Sequence, residues 1–457
     1  MASRSSSRRA SKLKILNFQF SIFSFLSPIV ALLFTASLAE ASGTNAPNLI
    51  DLPTTLRLAG AQNLDVKIAR ERVVEAKAIH SSAIAQFFPW IAPGITYRQH
   101  NDKIQDVEGN IISVDKYSYA PGAALAMQLD LGDALYKSLA AKQLAKAADE
   151  AFQAQRQDSV LAAAQGYFEL AFAQASVGVE KQSLDINIDY ERQLQHALDA
   201  GIAFKGDLLR VTVQKERSQT ALRQAVEGQR ITAARLAQVL HLEPTVELIA
   251  QESELAPLQL IQTNAALDPL VQQSLSSRPE LKQSAFLLAA TRETKNGASY
   301  GPLIPTIGAQ GFFGGLGGGR SGVPDSFGPQ EDYLFGLSWR VGPGGLFDVT
   351  RTRVAESRVR QAEISQDKIR DELTRQVVEA FTHWQSLDDQ LATARRALVA
   401  AEEALHLAQQ RKEFAVGIVL ETIQAEQDLT RARLDYLRAI AEFNKAQYAL
   451  EKATGKL

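Results

Sequence analysis

The sequence predicts a chain that is mainly α with a small β part, built as two copies of a helix, two strands, a very long helix and a return helix. Three observations predict it. The chain repeats itself at a spacing of about 215 residues, the distance from Asn63 to Arg278. Two stretches of roughly 70 residues contain no proline. Four short segments, two in each half, are expected as strands, and one in each half alternates large apolar side chains with small or polar ones.

Five pairs, aligned in order, carry the duplication. Asn63-Leu64-Asp65-Val66 matches Arg278-Pro279-Glu280-Leu281, and Phe87-Phe88-Pro89-Trp90-Ile91 matches Leu303-Ile304-Pro305-Thr306-Ile307. Further on, Tyr167 matches Phe381, Asp207-Leu208-Leu209 matches Glu421-Thr422-Ile423, and Arg217 matches Arg431. One such pair is chance, but five in sequence order are not. The first repeat then spans residues 42–242 and the second 267–457, with a proline-bearing connector over 243–266.

The opening helix is predicted over about 55–88, stopped by Pro89, and its counterpart over about 267–299, stopped by Gly301-Pro302. The long helices are predicted over about 132–200 and 346–416. At 1.5 Å per residue each reaches roughly 100 Å, a length that suits the width of a cell envelope. Helices of that length need a packing face. Leu391, Leu398 and Leu405 recur every seven residues, with Ala394, Ala401 and Ala408 three residues after each, which is a coiled-coil seam. A long surface coiled coil without a channel fits that segment equally well.

Strands are predicted over about 90–100, 114–131, 304–314 and 332–342. In the second of these, Tyr117, Tyr119, Leu125, Met127 and Leu129 alternate with Ser118, Ala120, Gly122, Ala124 and Gln128. In the fourth, Tyr333, Phe335, Leu337 and Trp339 alternate with Leu334, Gly336, Ser338 and Arg340. This is the pattern of a transmembrane barrel strand, apolar towards lipid and small or polar towards a lumen, although a half-buried soluble strand alternates in the same way. On the barrel reading, Arg340 faces the lumen near the barrel base, where it either tunes the passage of anions or is satisfied by a neighbouring carboxylate. Trp90, Tyr117, Tyr119, Tyr333 and Trp339 are candidates for the membrane interface, with plain packing as the competing account. The segments 101–113 and 314–330, polar and glycine-rich, are expected as loops. Four strands cannot close around a lumen, so the chain is expected to oligomerise.

Composition removes several function classes. The formal net charge is -2, and the first 41 residues carry Arg4, Arg8, Arg9, Lys12 and Lys14 against Glu40 alone. Setting them aside leaves 44 basic and 50 acidic residues of the 49 and 51 in the whole chain, without a basic block, so no nucleic-acid partner is expected. Residues 1–41 are expected to be a secretory signal peptide, with a basic start, an apolar stretch and a closing Ala39-Glu40-Ala41; a membrane-anchoring helix is the alternative. There is no cysteine, hence no disulfide, thiolate nucleophile or lipid anchor on an N-terminal cysteine. The six histidines show no metal-ligand spacing, and the run Gly314 to Arg320 lacks the Lys-Ser/Thr of a phosphate loop. No catalytic residue, metal or cofactor is expected.

With its repeats, long helices and strand pairs taken together, the mature chain resembles the TolC-like outer-membrane efflux protein family over nearly its whole length. Arg278-Pro279-Glu280-Leu281 resembles the family's second-half opening. Gly201 followed six residues later by Asp207-Leu208-Leu209 resembles its periplasmic-tip turn, and the stretch from Leu434-Asp435-Tyr436 through Phe443-Asn444 to Gly455 its last helix. The resemblance implies a homotrimer in which four strands per subunit form one 12-stranded transmembrane β-barrel in the outer membrane, continued by a coiled-coil tunnel across the periplasm. It also implies a periplasmic adaptor and an inner-membrane RND, ABC or MFS transporter as partners, for efflux of small molecules or metal ions or for type I protein secretion.

By the same resemblance Asp207 and Glu421 mark the constricted end of the tunnel, where repeated carboxylates would favour cations. A helix N-terminal acid meeting the helix dipole is the equal alternative. Gly201 and Gly417 mark the two turns. The second departs from the pattern, since Ala415 stands where Gly201 does and no basic or tyrosine partner is evident over 414–420, so closure there is expected to rest on packing. The rival from another class is an elongated periplasmic coiled-coil scaffold or adaptor without a pore.

Overall fold

The computed structural model describes residues 48–243, 245–252, 254–262, 265–320, 322–413 and 419–457. The expected signal peptide, residues 1–41, lies outside them.

Each half opens with two helices where one was expected. In the first, α1 (Leu52–Gln62) ends at Asn63 and α2 (Leu64–Ala85) begins there. Asn63 has an extended backbone (φ -53°, ψ 137°), and its side-chain oxygen accepts from the amides of Asp65 and Val66 at 2.8 and 3.4 Å while its Nδ2 donates to the Val239 carbonyl at 2.8 Å. A side chain that replaces the helical hydrogen bonds of the next turn ends one helix and starts another. In the second half α5 (Leu267–Ser277) and α6 (Pro279–Tyr300) are divided at Arg278, which the following proline holds in the extended region. These two breaks fall on the first of the aligned pairs.

From α2 the chain enters β2 (Trp90–His100), crosses a small hairpin of β3 (Lys103–Gln105) and β4 (Ile111–Ser113), and returns along β5 (Lys116–Asp130). The second pair is β7 (Thr306–Arg320) and β8 (Ser326–Ser338). The four long strands make one antiparallel sheet in the order β2-β5-β7-β8. The loop expected over 314–330 is corrected: residues 314–320 and 326–330 are strand, and the connection shrinks to 321–325. Glycines sit in this strand because rings from the neighbouring strands occupy the space their side chains would fill. A Cβ on Gly315 would lie 2.3 Å from the Phe327 ring, and one on Gly317 2.4 Å from that of Tyr119.

Below the sheet, α3 (Leu131–Asp199) runs 69 residues and α7 (Val349–Glu413) 65, roughly 100 Å each. The return helices α4 (Lys205–Leu240) and α8 (Val419–Ala453) are half as long. Each long helix is therefore flanked by a return helix along its lower part and by the opening helices along its upper part. The contacts give a wall in the order α4-α3-α8-α7 below and α2-α3-α6-α7 above. The coiled-coil seam is real: Leu405 and Ala408 on α7 pack with Ala425 and Leu429 on α8, and Leu398 and Ala401 lie against them. The largest core lies where the halves of the long helices meet. Here Tyr167, Leu170, Leu236 and Leu240 bury against a two-stranded parallel sheet of β1 (Asn48–Ile50) and β6 (Leu248–Ala250).

Arg278, 1 % exposed, pins the second half at this level. Its Nε donates to Glu280 at 2.8 Å, one terminal nitrogen to the carbonyls of Lys452 and Ala453 at 3.3 Å each, and the other to Gln376 at 3.2 Å. One cation thus serves the start of α6, the last carbonyls of α8 and the side of α7. Burial works against the Glu280 carboxylate, but hydrogen bonding to Arg278 and the charges of Arg278 and Lys452 hold it below its ordinary value.

Candidate functional site

The sheet is exposed on both faces, and pairing fixes which residues share a face. On one side lie Ile91, Pro93, Ile95 and Tyr97 of β2, Tyr117, Tyr119, Leu125 and Leu129 of β5, Phe313 of β7, and Tyr333, Phe335 and Leu337 of β8, with Gln99 and Glu331 as polar exceptions. On the other lie Thr96 and Arg98, Ser118, Ala124 and Gln128, Gln310, and Gln330, Asp332 and Ser338, with Phe312, Leu316 and Leu334 as apolar exceptions. Tyr333, Phe335 and Leu337 are 59, 78 and 64 % exposed, too much apolar surface for water to meet. One face is greasy and the other wet, which is what a barrel wall requires.

Aromatic rings line the greasy face: Tyr97 stacks with Tyr117 at 6.4 Å, Tyr119 with Phe327 at 6.0 Å, and Phe313 meets Tyr333 edge-on at 5.3 Å. The Tyr117 hydroxyl donates to Asp325 at the hairpin end. Of the expected interface residues, Tyr117, Tyr119 and Tyr333 stand on this face, whereas Trp90 opens β2 on the wet one, opposite Ala126. Trp339 follows the end of β8 and donates from Nε1 to the Leu303 carbonyl at 3.2 Å. Arg340 also follows β8; its carbonyl accepts from Leu346, and its side chain borders a groove of about 210 Å³ that Asp130, Asp133 and Arg351 also line. The structure therefore puts Arg340 at the junction of sheet and helices, two residues past the strand.

At the far end of the helices, the first turn is tight. Gly201 takes φ +76°, which a side chain would resist, and the chain re-enters a helix after Phe204. Asp207 lies in the first turn of α4, 25 % exposed, 3.2 Å from Arg210. Glu421 lies in the first turn of α8, 36 % exposed, with its carboxylate 3.0 Å from Arg411 on α7. Both acids thus meet a helix N-terminus and an arginine. An ion pair does join the helices that flank the second turn, and its basic member, Arg411, sits three residues before the window where none was evident. Gly417, with 414–418, falls outside the described residues. Behind the tip Tyr190, Leu194, Val211 and Ile423 form a small core, and burial pushes the Tyr190 hydroxyl above its ordinary value.

Three groups escaped the reading from sequence. Glu426 on α8 is 4 % exposed and accepts from Ser183 at 2.6 Å, Thr430 at 3.1 Å and Asn187 at 3.4 Å, a polar junction of α3 and α8. Burial, and then the charge of Glu426, push the nearby Glu180 carboxyl up. The others are Arg98 and Asp332, the charges of the wet face near the sheet's two edges. Splitting 90–100 into alternate positions would have shown Arg98 opposed to Tyr97, since Thr96, Arg98 and His100 share one side.

Residues 270–456 match the model of a family described as outer membrane efflux protein. No curated protein sequence matches the chain significantly. Among solved structures, a membrane protein from Pseudomonas aeruginosa is similar with a TM-score of 0.76 and 20 % identity, over 88 % of this chain and 90 % of that one. The outer membrane protein VceC from Vibrio cholerae follows at 0.70 and 16 %, over 88 % and 96 %. The open state of the Neisseria gonorrhoeae MtrE outer membrane channel gives 0.69 and 16 %, over 88 % of each. A two-faced sheet standing on a wall of very long helices is the fold this chain shares with those structures. The chain thus carries the outer membrane efflux protein family's sequence pattern over residues 270–456 and shares its fold with these solved outer membrane proteins over 88 % of its length.

Proposed function

We propose that the chain is one subunit of a passive exit duct in the bacterial outer membrane, through which an energised inner-membrane transporter expels its cargo. The observation that carries this is the open sheet, greasy on one face and wet on the other, with unpaired strands β2 and β8 at its edges. Exposed aromatic rings call for lipid, and in lipid unpaired strand edges are intolerable unless other copies complete the wall. The helical layer is open in the same way, ending at α7 on one side and at α2 and α4 on the other. Three copies give twelve strands, enough for a lumen. A periplasmic adaptor and an RND, ABC or MFS transporter complete the assembly, and the acids at the tip give its entrance a cation preference. A poreless scaffold has no use for two lipid-patterned hairpins.

Fractionation with the outer membrane, heat-modifiable migration on a gel and stepwise conductance in a planar bilayer test the reading. A purified protein that stays monomeric in the soluble periplasmic fraction without detergent sinks it.

A further inference from the structure

The two edges of the sheet carry enough information to say how neighbouring copies meet, on the reading just given that copies close one barrel. We propose that β8 of one copy pairs antiparallel with β2 of the next at an offset of four residues, with Ser338 opposite Trp90, Gly336 opposite Ala92 and Gln330 opposite Arg98. Across the seam Arg98 reaches Asp332 on the wet face.

The direction of pairing follows from strand order. β2 and β8 run oppositely within one sheet, so β8 of one copy beside β2 of the next continues the antiparallel alternation without a break. Their faces must also match, and because side chains alternate with period two only even offsets keep greasy against greasy. Following the paired residues straight across one copy, Ala92 leads to Ala124, Phe312 and Asp332. A seam that simply continued that row would be untilted, and barrel strands tilt by about 35–45°.

The offset is then fixed by overlap and tilt together, since an offset of two also gives every residue of β2 a partner but a tilt of only about 19°. On the rows defined by β2, β8 reaches beyond it at the helix end and stops short of it at the hairpin end. Sliding the next copy by four residues in that direction gives all 11 residues of β2 a partner; sliding it four residues the other way leaves most of β2 bare. Four residues at about 3.3 Å against four strands at about 4.8 Å give a tilt of roughly 35°. An offset of six gives about 46° and strands Trp90 and Ile91 without partners.

Charge is compatible with the offset of four, although an offset of six would set Arg98 directly opposite Asp332 and is set aside only because it leaves Trp90 and Ile91 without strand partners. On the wet face, β2 contributes one cation, Arg98, and β8 one anion, Asp332, and neither has an ion-pair partner among the described residues of its own chain. The Asp332 carboxylate is already aimed by Gln330, whose Nε2 donates to it at 2.6 Å. Placing Gln330 opposite Arg98 puts Asp332 on the diagonal, within reach of a long side chain. On the greasy face, the same offset moves Glu331 from the row of Pro93 to that of Tyr97. The carboxylate, which already accepts from the Tyr333 hydroxyl at 3.4 Å, then faces a second phenol across the seam.

The chain has no native cysteine, so engineered pairs report the seam cleanly. Ala92→Cys with Gly336→Cys, mildly oxidised in outer membranes, should give covalently linked multimers on a non-reducing denaturing gel; an added side chain at Gly336 meets nothing within 4 Å. Ala92→Cys with Asp332→Cys, the zero offset, and with Ser338→Cys, the offset of six, should stay largely unlinked. Linkage strongest in either of those pairs, or in none, overturns the register, while outer-membrane insertion in the same samples keeps the channel reading intact. Protein that never inserts overturns the channel reading instead. Separately, Arg98→Glu and Asp332→Arg should each lower the temperature at which the oligomer dissociates, and the double exchange should restore it. Failure of the double exchange to restore it removes the ion pair from the proposal.

Discussion

Replacing Arg278 tests whether one buried cation holds the second repeat together at the level where its helices meet. Arg278→Met keeps most of the volume and removes hydrogen bonds to Glu280, Gln376 and the carbonyls of Lys452 and Ala453. Removing one member of a buried ion pair costs roughly 3–5 kcal/mol, because the other is left buried and uncompensated. Two features reduce that here: Lys452 remains 3.9 Å from Glu280, and the Glu280 side chain keeps 23 % of its exposure. A cost of about 2–3 kcal/mol remains, which multiplies the locally opened population roughly 30- to 140-fold. Limited proteolysis of the assembled protein reads this directly where reclosing outpaces cleavage, with new cuts expected near residues 278–280. Arg278→Met with Glu280→Gln removes both charges and should return cleavage to within about tenfold of the parent. The pair also sets a pH dependence. Glu280 sits below its ordinary value, so its contribution is present above the unfolded carboxylate range and lost as pH falls through the folded value. Acid should therefore open the parent and leave Arg278→Met nearly indifferent. If the single variant is cut no faster than the parent, or if the double variant is not rescued, Arg278 does not hold these helices.

Glu180 shifts the opposite way, so the stability it contributes is present in acid and lost as pH rises through its raised value. Hydrogen exchange over 176–187, corrected for its intrinsic pH dependence, should speed up with that rise, and Glu180→Gln should flatten the profile. Replacing Asp207 and Glu421 together by Ala should weaken cation preference in planar-bilayer conductance, and unchanged selectivity would confine both acids to helix capping. A Cβ on Gly132 would sit 2.2 Å from the Gly301 carbonyl oxygen. Gly132→Ala should therefore cost about 1–3 kcal/mol by overpacking and reduce the heat-modifiable oligomer. Gly178→Ala, in open space on the same helix, is the control that should leave the oligomer unchanged.

Much of this protein is legible along the chain because its signals are periodic. Absence of proline marks the long helices, heptad spacing marks the α7–α8 seam, and alternation marks the strands. Signals that depend on a neighbour were read less well. The run from Gly314 to Arg320 looks like a loop because glycine has no side chain to alternate; Tyr119 and Phe327, distant in sequence or on the next strand, make it a strand by filling the vacant space. The helix breaks at Asn63 and Arg278 had local causes, an N-cap and a pre-proline residue, that a long amphipathic pattern concealed.

Sequence alone determined the duplicated plan, the lengths of the helices and the greasy and wet sides of two strands, because these follow from backbone period and side-chain type. Only tertiary structure decided the order β2-β5-β7-β8, the burial of Arg278 and Glu426 and the meeting of Glu421 with Arg411. Those depend on which segments come to lie side by side. No local pattern of residues encodes that, since each contact joins groups whose partners lie anywhere from ten to some two hundred and forty residues away.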